Sequence, residues 1–176
     1  VNWGDLACIE FPLPPKEEQA KLAELLWAMD EVIERQNKLK TMLKISRNVV
    51  FEQLVSKTSG KSVALSKILV PKKNKSQVPH TREKYIGLEH IDSGEFATEK
   101  FDSTEGVKAQ CSLVDKGDLC YSKLRTYLDK AVIATFDAVS TTELLVYSTK
   151  LASKEYVLFH LHSRPFLNYI TGQGYG

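Results

Sequence analysis

The sequence predicts an α+β chain: one long coiled-coil-forming helix followed by a mixed α/β domain. Three observations predict it. Residues 16–56 contain no Gly and no Pro, and apolar residues recur there at alternating steps of three and four. From residue 61 the pattern changes to short β-rich runs separated by Gly, Asp and Ser turns. The 176 residues, 43% hydrophobic and 26% charged, leave room for one globular core or for a small domain plus an extended element.

Residues 1–15 read as an extended, Pro-rich segment that runs into Lys16-Glu17-Glu18-Gln19. Prolines fit just before or at the first helical position, and carboxylates in the first turn oppose the positive end of the helix dipole. The helix that follows is about 40 residues long, roughly 60 Å at 1.5 Å per residue. Its seam holds Leu22, Leu25, Met29, Val32, Gln36, Leu39, Leu43, Ser46 and Val50. Of these, Leu25, Met29, Val32, Gln36, Leu39 and Leu43 are the candidate dimer interface. Residues 57–61 close the helix, with Gly60 available for a left-handed cap, so the helical segment is bounded at 16–60. A domain that begins only after the helix cannot cover so long a stripe, which therefore requires another helix. Residues 16–34 carry six acids and two bases, net −4, and residues 35–57 carry six bases and one acid, net +5. Antiparallel pairing of two copies sets acid against base. The alternative is that the polarity only suits the helix dipole.

Residues 61–176 form the second domain. Residues 63–69 read as a short amphipathic segment ending at Pro71, and residues 72–82 as a polar basic loop. Residues 85–91, 119–121, 131–136 and 139–147 read as strands. Ser153 caps a helix through His162, Pro165 starts another, and residues 171–176 form a flexible loop.

Net charge is only +2, but residues 61–84 hold seven bases and one acid, a local +6. Cys8, Cys111 and Cys120 lie far apart with no CxxC pair, which fits reduced thiols in the cytoplasm. No apolar run approaches the roughly 20 residues of a membrane span, and no signal peptide is legible. Catalytic readings fare badly. His160-x-His162 would share a face only in a strand, yet this segment reads helical, and no cysteine or carboxylate stands at metal spacing. Glu89-His90-x-Asp92 reads as strand surface or turn. Gly172-x-Gly174-x-Gly176 precedes no helix and is not a dinucleotide fingerprint. The expectation is a protein without catalytic residues, metal or cofactor.

Ile9-Glu10-Phe11-Pro12-Leu13-Pro14-Pro15-Lys16-Glu17-Glu18-Gln19 and the helix after it resemble the conserved region of type I restriction-modification specificity (S) subunits. Tyr85-Ile86-Gly87-Leu88-Glu89-His90-Ile91 resembles a strand motif of their target recognition domains. Gly117-Asp118-Leu119-Cys120-Tyr121-Ser122-Lys123-Leu124-Arg125-Thr126-Tyr127-Leu128-Asp129-Lys130 and Ser140-Thr141-Thr142-Glu143 resemble two segments that follow it in the family's order. The resemblance implies a half-sized S subunit: one conserved helix and one target recognition domain, residues 61–176. It implies sequence-specific reading of double-stranded DNA at a bipartite site, with methyltransferase (M) and restriction (R) subunits as partners; the unpartnered seam of the helix predicts an antiparallel homodimer. The chain stops where a closing segment of the family begins, and it starts with one. Residues 1–15 are therefore expected to complete a recognition domain of this same type, as in a circularly permuted half-subunit; the alternative is a fragment.

Lys72, Lys73 and Lys75 suit phosphates. Arg82, Lys84, Lys123, Arg125 and Lys130 lie in or beside strand motifs, where Arg suits a guanine edge; Gln110 or Asn74 suits adenine. Arg125 has a second reading, an ion pair with a carboxylate such as Glu143. Tyr121 and Tyr127 fit the core better than DNA sugars. The competing function is a coiled-coil protein–protein adaptor that binds no DNA.

Overall fold

A reciprocal cap starts the first helix. Asn2 Oδ1 accepts from the Asp5 N–H at 3.1 Å, and the Asp5 carboxylate accepts from the Asn2 N–H at 3.0 Å, so two orphan donors are satisfied together. The result is α1 (Trp3–Ala7), which corrects the expectation that residues 1–15 are extended throughout. The structure is a computed structural model that describes residues 2–57 and 60–173. It divides into two units, Val1–Ser46 and Arg47–Gly176.

In the first unit, an irregular extended run leads from α1 to α2 (Lys16–Ser56). Gln19 ties its start down: Nε2 donates to Pro14 O at 2.6 Å and its N–H donates to Pro15 O at 3.0 Å. Glu17 and Glu18 occupy the first turn as expected. Every candidate interface residue on the helix is exposed, and Leu25, Leu39 and Leu43 each keep more than half of their surface open. A second apolar stripe, Ala23, Leu26, Trp27 and Ile33 with Asp30 among them, lines a shallow groove together with Met29 of the seam.

The second unit takes in the last ten residues of α2. At the helix end Lys57 N–H donates to Leu54 O at 3.2 Å, and Gly60 does not take a positive φ. The left-handed cap expected there is absent at Gly60, and residues 58 and 59 lie outside the described residues. After the short α3 (Leu65–Ile68) come ten strands: β1 (Leu69–Pro71), β2 (Lys75–Ser76), β3 (Lys84–Ile86), β4 (Ala97–Thr98), β5 (Asp102–Ser103), β6 (Cys111–Val114), β7 (Leu119–Ser122), β8 (Ala131–Ala134), β9 (Ala138–Ser140) and β10 (Leu144–Thr149). Among the described residues they build two five-stranded sheets, in the orders β1-β10-β7-β8-β4 and β2-β6-β9-β3-β5. Pairing is antiparallel except for β3 with β9 and β4 with β8. The chain ends in α4 (Lys154–Leu161) and α5 (Arg164–Gln173).

The strand period of two explains the apolar runs. Cys120, Val132 and Ala134 point into a core with Ile86, Ile91, Val114, Ala138, Leu144 and Val146. Their neighbours Leu119 and Ala131 point the other way, to Leu69 and to Val157, Leu158 and Leu161 of α4. The sheet holding β7 and β8 is thus buried on both faces, and its strands read as nearly continuous hydrophobic stretches. Ser153 caps α4 as expected, its hydroxyl accepting from the Tyr156 N–H at 3.2 Å. Phe51 of α2 stacks on Phe159 of α4 with ring centroids 5.0 Å apart, and Glu52 accepts from the Arg164 N–H at the start of α5 at 3.0 Å.

Several local expectations are corrected. The stretch at 72–82 contains β2 and is not all loop. Residues 85–91 are a strand only to Ile86, after which Leu88–His90 form a 3-10 turn. Residues 139–147 divide into β9 and β10. Residues 171–173 continue α5, while residues 174–176 of the expected loop lie outside the described residues. Among the described residues no helix is long and apolar enough to cross a membrane.

Candidate nucleic-acid interface

Three segments that stand far apart in the sequence meet at one cleft. The first is the turn after β3. His90 Nδ1 accepts from the Gly87 N–H at 2.8 Å, which fixes the 3-10 turn presenting Leu88 and Glu89. The second follows β7. Ser122 Oγ donates to Leu124 O at 2.8 Å, and the chain then passes through Arg125 (φ 49°), a 3-10 turn at Thr126–Leu128, and Asp129 (φ 51°). Left-handed backbone is uncommon for residues with a side chain and persists only where the surroundings hold it. Here they do. Asp129 O accepts from the Gly94 N–H at 2.9 Å, and the Asp129 carboxylate lies 2.7 Å from Nδ1 of the buried His162. His162 Nε2 lies 3.0 Å from Ala131 O. Both ring nitrogens thus face acceptors, which fixes the plane of the ring. The third segment is the β9–β10 turn, where the Thr141 N–H donates to Ile86 O at 3.1 Å and positions Glu143.

Together Tyr85, Leu88, Glu89, Ser122, Leu124, Arg125, Leu128, Lys130, Thr141 and Glu143 line a cleft of about 440 Å³. All of them belong to the segments whose sequences resemble recognition-domain motifs. The motif residues are mostly builders of this cleft. Gly117 supplies a φ of 94° at the β6–β7 turn, a conformation side chains rarely adopt. Asp118 closes that turn by accepting from the Asp115 N–H at 2.8 Å. Lys130 Nζ donates to Leu88 O at 2.6 Å and holds the first segment to the second. Burial pushes the Tyr85 hydroxyl up, and the Glu89 and Glu143 charges add to the shift.

The residues expected to touch DNA fall into two groups. Lys72 pairs with Asp115 and, at 2.6 Å, with Asp118; Arg82 pairs with Asp115 and donates to Val114 O and, at 3.0 Å, to Ala138 O. Burial pulls the Lys72 ammonium down, but its hydrogen bonds to Asp115 and Asp118 outweigh this and leave it raised. Hydrogen bonds from Lys72 and Arg82 hold the Asp115 carboxyl below its ordinary range. Lys75 Nζ donates to Ser112 Oγ at 2.8 Å, and Lys84 Nζ sits 4.4 Å from the ring centroids of both Phe101 and Phe136. These cations, with Lys130, are engaged inside the domain. Lys73, Asn74, Gln110, Lys123 and Arg125 are exposed, and among the described residues none has a side-chain partner. The ion pair envisaged between Arg125 and Glu143 is not formed among them. Of the expected contacts, the cleft gathers only Arg125 and Lys130.

Sequence reasoning missed Tyr85, Glu89, Ser122, Thr141 and Glu143 as cleft residues, although each stood in a motif that resembled the family. It also missed Asp115, which no spacing marked as the partner of Lys72 and Arg82. Tyr121 packs on Phe166 with its phenol buried, a core role, whereas Tyr127 is 65% exposed. Glu89, His90 and Asp102 lie close enough together to hold a cation. However, His90 Nδ1 already accepts from Gly87, so the proton of the neutral ring sits on Nε2, 3.3 Å from Asp102. A nitrogen that carries a proton has no lone pair for a metal.

No family model matches the chain, and no curated protein matches it. Among solved structures, a similar chain is the HsdS subunit from Thermoanaerobacter tengcongensis, 14% identical over 89% of this chain and 46% of that one, with a TM-score of 0.40. A second likeness is to a chain in a structure concerned with complex assembly and conformational transition of the type I R-M system. It is 15% identical over 86% of this chain and 42% of that one, with a TM-score of 0.44. The chain spans less than half the length of either of these two chains.

Proposed function

We propose that the chain is a sequence-specific DNA-recognition subunit of a type I restriction-modification system, without catalytic residues of its own. The observation that carries this reading is the convergence of three motif-bearing segments on one cleft edged by the unpaired Arg125. The exposed cations Lys73 and Lys123 supply phosphate contacts, and the side chains at the cleft read bases. The helix joins two copies antiparallel through Leu25, Met29, Val32, Gln36, Leu39 and Leu43. Its second stripe, around Trp27 and Ile33, receives the methyltransferase subunit, with the restriction subunit joining that complex in the cytoplasm. Residues 1–15 complete a recognition domain of the same type; deleting residues 1–11 should then lower the melting temperature of that domain in the dimer.

The decisive test is binding to duplex DNA followed by fluorescence anisotropy across a salt series. Affinity should fall steeply as salt rises, with the logarithm of the binding constant linear in the logarithm of salt concentration. The second reading, a protein–protein adaptor, draws on the two exposed apolar stripes of α2. It predicts no binding to duplex DNA at any salt concentration.

A further inference from the structure

We infer that Arg125 and Glu143 act as a pair that reads one G·C base pair. The inference rests on the DNA-recognition reading and gives it a chemical specificity. Both side chains line the same cleft, and among the described residues neither has a partner. Their backbones are tied together: the Lys123 N–H donates to Glu143 O at 3.1 Å, and Ser122 stands opposite Leu144 in the β7–β10 pair. The groups that would otherwise satisfy them are already used. The Lys130 ammonium is bound to Leu88 O at 2.6 Å, and the Ser122 hydroxyl is given to Leu124 O at 2.8 Å. Glu143 is half-buried, a position where a carboxylate without a donor is unfavourable until one arrives.

The charges on the cleft restrict what it accepts. Glu89 and Glu143 disfavour a phosphate; Arg125 and Lys130 disfavour a lone cation. What remains is a neutral surface with acceptors on one side and a donor on the other. The major-groove edge of a G·C pair has that order: guanine N7 and O6 accept, then the cytosine N4 amino group donates. The planar fork of Arg125 takes the two adjacent acceptors, and Glu143 takes the amino hydrogen. An A·T pair places its donor between two separated acceptors, so the fork finds no adjacent pair there.

The test is selection of duplexes from a randomised pool by the full chain, compared with Glu143→Gln and Arg125→Lys. The first variant keeps the shape of the side chain and removes its charge; the second keeps the charge and removes the fork. The wild type should enrich an invariant G·C position in each half-site. Both variants should lose preference at that position by roughly tenfold or more, while preference elsewhere is kept. Replacing that guanine with 7-deazaguanine should weaken wild-type binding and leave the Arg125→Lys protein less affected. Sequence preference that is identical in the wild type and both variants overturns the pair while leaving DNA recognition standing. Failure of the wild type to bind any duplex at low salt overturns both.

Discussion

Asp115 is the residue on which two of the cations engaged inside the domain, Lys72 and Arg82, converge. It joins Lys72 and Arg82 beside the β6–β7 turn, and Asp118 takes a second bond from Lys72. The fold holds the Asp115 carboxyl low, so its stabilisation is complete above the ordinary carboxylate range and disappears as pH falls through the lowered value. Lys72 is held high, so its contribution is complete below the ordinary lysine range and disappears as pH rises through the raised value. Asp115→Asn should therefore destabilise the protein at neutral pH by about 1 kcal/mol, a modest figure because the carboxylate is half-exposed and screened. Urea unfolding between pH 3 and pH 7 checks this: the gap between variant and wild type should close on the acid side. A gap that does not change with pH would show that the ion pairs do not stabilise the fold. The same residues mark a limit of reading from sequence. The basic run at 61–84 is legible, but its exposure depends on an acid about forty positions away. Lys73 and Arg125 stay exposed, and among the described residues no such partner reaches them.

At the scale of elements, long α2, capped α4 and the buried strands β7 and β8 were legible because each carries a strong local signal: a seam, an N-cap serine or an apolar run. Strands β2, β4 and β5 were not, since two residues display no period and each exists only through its pairing partner. The packing of the last turns of α2 was not legible for a related reason. Its seam obscured a different face, on which Arg47 lies 3.8 Å from the Phe96 ring centroid and donates to Gly94 O at 3.1 Å. On that face Phe51 meets Tyr156, Phe159 and His160, and burial lowers the pKa of His160. The last turns of the helix are thus part of the second unit's own packing. Phe51→Ala should destabilise the second unit by about 2 kcal/mol, roughly half the value for a fully buried aromatic. Thermal unfolding monitored by near-UV circular dichroism is the measurement. An unchanged transition would mean that the helix end is a passive neighbour.

For the whole molecule, the proposed DNA recognition depends on assembly, which would set whether one copy of the second unit or two meet the duplex. The seam runs from Leu22 to Val50, and its midpoint is Gln36. A two-fold axis through that midpoint would set Gln36 against Gln36 and Leu22 against Val50, placing the net −4 half of each helix along the net +5 half of the other. A polar pair at the centre of an apolar seam fixes register at some loss of stability. Parallel pairing would oppose like charges along the whole seam. Val32→Asp with Leu39→Asp puts charge into the buried interface and should yield a monomer in sedimentation velocity at micromolar concentration. Direction is read separately. A spin label at Lys21→Cys, with Cys8→Ser removing the exposed thiol, should give an interspin distance near 45 Å, from fifteen residues on each side of the axis at 1.5 Å apiece. A parallel pair would bring the labels within about 15 Å, and a monomeric wild type would give no distance at all. Two identical heads related by that axis would select a bipartite site whose halves are inverted copies of each other, so the symmetry of the bound sequence and the spin-label distance must agree.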